Sequence, residues 1–433
     1  YTTYSMAGNS SKAPFFNGDR ASMLELGSNL YNPDLKWETT ITRNLGIDYG
    51  FWNNRISGSL DFYWNTTKDL LMRTEIPANT GYGYQYQNFG KTSNKGVELA
   101  MNAVLVDRKK FSLNFNFNIS YNRNHIDELA TENPWQSSSW SGSTISKYED
   151  FRVEEGGRLG EIWGFKTNGY FTAYDAVSNP DGELVLKGTN WELREGLKDN
   201  SSTITGGKYY PGALKVECDE NGDPLKQKLG NTVAPVTGGF GFNGNVGNFD
   251  FNVFCNYSVG NKIINGNKLA LAFNTGSAKG YNINNDFALN NRYTWIDPAT
   301  GLNLGKPAGS TVDYYGAEGL VQRLNALNAG ANMYNPAAVT TMQLIDYAVE
   351  DASFLRINNV TVGYTLPKDW VKKVFIQNIR VYLTGYNLLC ITKYSGSDPE
   401  VDTSSKKNAM TPGVDYASYP KSRSFVAGIN VTF

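Results

Sequence analysis

Four aromatic residues, Trp135, Trp140, Tyr293 and Trp295, carry the clearest binding chemistry in this sequence. Indole and phenol rings offer flat apolar faces to sugar rings and peptide planes, and nearby Asn, Asp and Arg can add hydrogen bonds. All four lie in long segments without strand periodicity, which makes them the candidate substrate-binding residues. The competing expectation is that these rings pack inside their own loops or against a covering protein.

Catalysis has less to stand on. His125 is the only histidine, so any His-dependent triad or zinc site would have to use it. Cys218, Cys255 and Cys390 lie far apart, form no CxxC pair and cannot complete a disulfide framework. The nucleophile-elbow, zinc-protease, phosphate-loop and dinucleotide signatures are all missing. Two carboxylates could meet in a cleft as they do in glycosidases, but acidic residues this abundant ordinarily lie in solvated loops. The expectation is a non-enzyme without cofactor or metal. Asp and Glu total 41 against 40 Lys and Arg, and this near-neutral balance argues against a nucleic-acid partner.

The elements that would position such loops are strands. Phe111, Leu113, Phe115, Phe117, Ile119 and Tyr121 alternate with Ser112, Asn114, Asn116, Asn118 and Ser120. Side chains alternate across a strand with period two, so this segment has one apolar and one polar face. The pattern recurs from Leu45 to Phe51, Ile56 to Trp64, Val97 to Leu105, Phe240 to Val246, Phe249 to Tyr257, Val360 to Leu366 and Ile379 to Gly385. The phase slips near Asn358-Asn359, where a bulge would account for it. Aromatic and Gly-rich composition favours many strands and turns over helices. No apolar run approaches the ~18–20 residues of a transmembrane helix. A barrel is the other architecture that satisfies every backbone polar group in lipid, and its alternation hides its membrane face from averaged hydropathy.

Every second connection between these strands is short: 52–54, 106–110, 247–248 and 367–378. The others are long: about 66–94, 123–237, 259–352 and 391–422. Soluble sandwiches alternate too, but have no reason to gather all long loops at one end. Outer-membrane barrels do, with short periplasmic turns and long extracellular loops. Trp37, Trp52, Trp64 and Trp370 then fall near strand ends, as an interfacial aromatic girdle requires. The final segment repeats the alternation: Phe425, Ala427, Ile429, Val431 and Phe433 share one face and the chain ends on Phe433. Phe425, Ile429, Val431 and Phe433 are the candidate barrel-assembly signal. About nine strands is an odd count, and open sheet edges are not tolerated in lipid. The expected fold is therefore an all-β transmembrane antiparallel barrel, partial in this chain.

Several stretches resemble the SusC/RagA family of TonB-dependent outer-membrane transporters. They are Asn32-Pro-Asp-Leu-Lys-Trp-Glu-Thr-Thr40, Asn44-Leu-Gly-Ile-Asp48, Asn54-Arg-Ile-Ser-Gly-Ser-Leu-Asp61, Thr67-Lys-Asp-Leu-Leu71 and Asn94-Lys-Gly-Val-Glu-Leu99. Phe354 to Pro367, Val381 to Leu389, Lys393-Tyr-Ser-Gly396, Asp398-Pro-Glu400 and Tyr419-Pro420 are similar as well. The resemblance covers most of the chain and is specific in combination. It implies that residues 1–433 are the carboxy-terminal part of a barrel of about 22 strands, with the family's amino-terminal plug absent from this chain. It further implies active import of oligosaccharides or peptides through the bacterial outer membrane. The implied partners are outer-membrane lipid, a SusD-like surface lipoprotein seated on the long loops, and the TonB complex acting through the plug. Where many relatives carry an aspartate-rich loop, this chain has Asp219-Glu-Asn-Gly-Asp-Pro224, with Pro in place of the last Gly, so a solvated turn is expected rather than calcium binding. The alternative is a secreted β-rich glycan-binding module or glycoside hydrolase, which detergent dependence would separate from a barrel.

Overall fold

The computed structural model describes residues 4–6, 15–16, 19–20, 24–26, 29–129, 135–137, 150–273, 282–305, 319–339, 341–371, 376–403 and 410–433. The chain forms two compact units. The first comprises residues 1–107, 113–135 and 153–159; the second comprises 108–112, 136–152 and 160–433.

The first unit is an antiparallel meander of β1 (Asn44–Phe51), β2 (Ile56–Lys68), β3 (Lys91–Arg108) and β4 (Phe111–Glu128), with Thr39–Ile41 extending β1 along the same partner. Register explains how the sequence pattern becomes a surface. Leu45 pairs with Phe62, and Phe62 with Val97; Ile47 pairs with Leu60, and Leu60 with Leu99. Because paired residues share a face, these apolar positions fuse into one continuous band. That band is exposed, as Leu45 at 61%, Ile47 at 54% and Phe51 at 55% show. The opposite face is polar and hydrogen-bonded: Tyr63 Oη donates to Asn122 Oδ1 at 2.9 Å, and Ser120 Oγ to Glu98 Oε1 at 3.2 Å. A Cβ on Gly96 would overlap the Tyr63 ring, so the close approach of ring and backbone requires glycine there.

Short turns close the hairpins. Asn53 and Asn54 adopt positive φ between β1 and β2, a conformation that Asn tolerates better than most residues. Strand β4 runs on to Glu128, beyond the alternating stretch, because Ile126 exchanges backbone hydrogen bonds with Gly156 and Gly157. At ~3.3 Å per residue, an 18-residue strand such as β3 or β4 exceeds the ~30 Å hydrocarbon core even when tilted.

The second unit holds a five-stranded meander of β5 (Val236–Val246), β6 (Phe249–Val259), β7 (Phe354–Thr365), β8 (Asn378–Thr392) and β9 (Ser424–Thr432). Phe249, Tyr364, Val381 and Ile429 lie side by side across four strands. On the other face Arg380 grips Asp250 with two hydrogen bonds, Nε to Oδ1 at 2.8 Å and Nη2 to Oδ2 at 2.5 Å. The register shifts between Ile357 and Asn359 against both neighbouring strands, which is the bulge that the phase slip required. Asn387 opposite adopts φ of 52°.

The long connections of this unit are not loose. Lys262–Asn265 pairs antiparallel with Val349–Asp351 and parallel with Val414–Asp415, which ties the β6–β7 and β8–β9 connections together. Glu161–Phe165 pairs with Lys226–Asn231, and Phe165 also bridges to Ile345. Around these short ladders Phe151, Ile162, Leu214, Ile264, Phe287 and Leu344 form a buried cluster. A second cluster gathers Phe171, Leu184, Trp191, Tyr293, Trp295 and Leu324.

Candidate ligand-binding site

Tyr293 and Trp295 sit on one short segment of the β6–β7 connection and insert into the second cluster. Tyr293 is 1% exposed and meets Tyr170 edge-on at 5.2 Å. Burial pushes its hydroxyl pKa far above the ordinary tyrosine value. Trp295 donates its indole N–H to the Pro211 carbonyl at 3.0 Å and stacks on Tyr210 with ring centroids 4.7 Å apart. Trp191 meets Trp295 edge-on at 6.2 Å. Both residues therefore pack inside the loop module. Trp135 lies in the strand Trp135–Ser137, but its side chain falls outside the described residues, and so does Trp140.

Trp295 has a second role, as a wall of a cavity of about 320 Å³. Tyr210 forms the adjoining wall. Lys208, Arg292, Thr294, Asn303 and Asn335 supply its polar lining. Three separate segments meet there, around residues 208–210, 292–303 and 335–338. The Arg292 guanidinium is half-buried and has no ion pair or side-chain hydrogen bond among the described residues. Burial pulls its pKa below the ordinary arginine value. The two amides are oriented by the chain itself. Asn303 Oδ1 accepts from Gly305 N at 2.8 Å, and Asn335 Oδ1 accepts from Ala337 N at 3.0 Å. These contacts fix which end is oxygen and leave the NH2 groups as donors toward other partners. Sequence reading missed Arg292, Lys208, Asn303 and Asn335. The available signal was the placing of Arg292 directly before Tyr293 and Trp295, in a segment already marked by its aromatics.

The conspicuous charge cluster lies elsewhere. Arg356, 4% exposed at the start of β7, holds Asp398 and Glu400 at 2.8 Å each, and its Nη1 donates to Asn387 Oδ1 at 2.5 Å. Lys421 joins through Glu400 at 3.1 Å. All its charges are mutually paired, so the cluster staples the β8–β9 connection to the strand ends. These are the residues of three resembling stretches, Phe354 to Pro367, Val381 to Leu389 and Asp398 to Glu400. Asp219 spends its Oδ1 on the backbone N–H groups of Asn221 and Asp223, at 2.8 and 3.0 Å, closing a turn. In the closing strand Phe425 and Ile429 lie on the exposed face beside Gly385 and Val381; Val431 and Phe433 are exposed too.

Residues 1–210 match the sequence profile of the TonB-dependent receptor-like β-barrel. Over 93% of its length the chain is 28% identical to TonB-dependent receptor P3 of Formosa agariphila, of which it covers 35%. It is 27% identical to TonB-dependent receptor SusC of Bacteroides thetaiotaomicron, covering 93% of this chain and 33% of SusC. The solved structure of the RagAB peptide importer in its open-open state superposes with a TM-score of 0.66 at 22% identity, over 100% of this chain and 38% of that one. The chain thus spans about a third of the length of the curated relatives it matches. It is similar to the TonB-dependent receptor β-barrels, SusC among them, and is an outer-membrane protein.

Proposed function

We propose that this chain forms barrel wall and outer vestibule of an importer that carries oligosaccharides or peptides across the outer membrane. In this reading a SusD-like surface lipoprotein docks on the folded long connections. TonB supplies energy through a plug, which together with further barrel strands is contributed by sequence outside residues 1–433. One observation carries the reading. Connections are short at one end of each meander, whereas at the other end those of the second unit fold into a module with its own core. Such a module is a platform for recognition above a wall whose apolar band faces lipid. The secreted alternative would need a cover for that band. Further strands are part of the proposal because β1 and β9 each pair on one side only among the described residues. In hydrocarbon, unpaired backbone groups cost several kcal/mol apiece.

The test is uptake of labelled oligosaccharides and peptides by cells with and without the receptor, repeated with the proton gradient collapsed. Uptake that requires both receptor and gradient, and a surface lipoprotein that co-purifies with the receptor, are the expected results. Uptake indifferent to receptor loss or to the gradient refutes the reading.

A further inference from the structure

The cavity beside Trp295 is lined by two cationic side chains and, among the described residues, by no carboxylate to match them. Its polar side chains are a guanidinium, an ammonium, two amides whose oxygens each accept a backbone N–H, the Thr294 hydroxyl tied to the Ile296 backbone, and the Tyr210 phenol; no carboxylate side chain is among its lining residues. Elsewhere in the same unit cations are matched, as Lys215 is by Glu183 at 2.7 Å and Lys268 by Glu350 at 3.3 Å. A half-buried arginine without an ion pair among the described residues is an exception to that habit, since charges taken out of water ordinarily find partners.

We propose that this cavity binds a carboxylate carried on a flat or apolar-faced unit: the terminal acidic sugar of an oligosaccharide or the C-terminal residue of a peptide. The planar guanidinium fork suits the two oxygens of a carboxylate, bonding it through two parallel N–H donors. The Asn303 and Asn335 amides add neutral donors. Tyr210, half-buried and backed by the Trp295 ring stacked on it at 25° between planes, provides the face on which a sugar ring or side chain rests. A volume of about 320 Å³ lies at the small end of ligand cavities. The cavity thus takes one end of an oligomer and leaves the rest outside. This deepens the import reading, on which the site's role in substrate selection rests; binding itself does not depend on energised uptake.

The experiment is titration calorimetry on the complete receptor in detergent. The probes are a uronate-terminated oligosaccharide, its neutral counterpart, a sulfated counterpart, and one peptide with free and with amidated C-terminus. At least one carboxylate probe should bind, with its neutral or amidated partner weaker by ~10-fold or more. Arg292→Gln should weaken that probe by ~10–100-fold, the range of a lost charged hydrogen bond. Lys208→Gln, at an exposed position, should weaken it less while keeping the fold. Which carboxylate probe binds identifies the source. Equal affinity for charged and neutral probes, preference for sulfate, or no effect of either substitution overturns the site. So does failure of every carboxylate probe to bind. Carboxylate binding with no energised uptake would refute the import reading and leave the site standing.

Discussion

The barrel wall and the loop module obey one rule with opposite outcomes. In the wall, Leu45, Phe51, Phe249 and Leu383 are exposed; in the module, Phe151, Phe171, Phe287 and Leu324 are buried completely. Apolar surface leaves water in both cases, but the wall gives it to lipid while the module must build its own core. The polar groups invert likewise. Thr361 and Thr384 hydrogen-bond across the wall's other face at 2.9 Å, whereas Lys215 and Glu183 pair half-buried within the module. A hydrophobic residue therefore cannot be read as core or surface until its solvent is known.

The comparison is sharpened most by a substitution on the module side. Phe287→Ala removes a fully buried ring that contacts Tyr334 and Tyr347 at 4.9 and 5.6 Å. The expected loss is about 3–5 kcal/mol of module stability. Limited proteolysis should cut residues 160–235 and 260–353 while heat-modifiable gel mobility persists. Loss of the barrel itself would break the division. On the wall, Phe115→Arg should cost ~2–4 kcal/mol near the bilayer midplane, and Asn116→Arg on the other face much less. Equal effects in refolding titrations into lipid vesicles would remove the lipid-facing assignment. A smaller effect follows from Gly96→Ala, whose Cβ would overlap the Tyr63 ring; about 1–3 kcal/mol of overpacking is expected. Tyr63→Ala should relieve only the part due to the ring, since the Tyr121 carbonyl would also lie 2.6 Å from that Cβ, and a double-mutant cycle measures the coupling.

The smallest effect is a pH dependence. At Glu183 burial raises the carboxyl pKa, but Lys215 and the Thr172 donors outweigh it and hold the net value below the ordinary one. Glu350 behaves likewise, its burial outweighed by Ser395, Lys268 and Asn265. A depressed folded pKa stabilises fully above the unfolded carboxylate value and loses that stability as pH falls toward the folded value. Amide exchange within the module should therefore accelerate as pH drops below about 4.5, the unfolded glutamate range, once intrinsic exchange is corrected for.

The shared core also constrains how the module can be dissected. Residues of both long connections enter each buried cluster, as Phe171 and Trp295 do in one and Ile162 and Ile264 in the other. Trimming 260–353 removes half of the core that supports 160–235. Loss of a docked partner after such a deletion would report unfolding as much as a missing contact surface. Single exposed substitutions are the sounder probe.

Strands, turns and facing were legible in the sequence because they are local. Period-two alternation from Phe111 to Tyr121 follows from backbone geometry alone, and short polar links such as Asn53-Asn54 fix where it reverses. Even the bulge at Asn358 left a mark as a slip of phase. Tertiary structure decided what the sequence left open. Trp295 is a stacking residue by type, but its burial follows from Pro211, which lies 84 positions away. Arg356 finds its counter-charge 42 positions on, at Asp398, while Arg292 finds none among the described residues. Alternation is written by neighbours along the chain. Pairing, burial and the cavity beside Arg292 are set by which distant segments the fold brings together, and no local pattern records that.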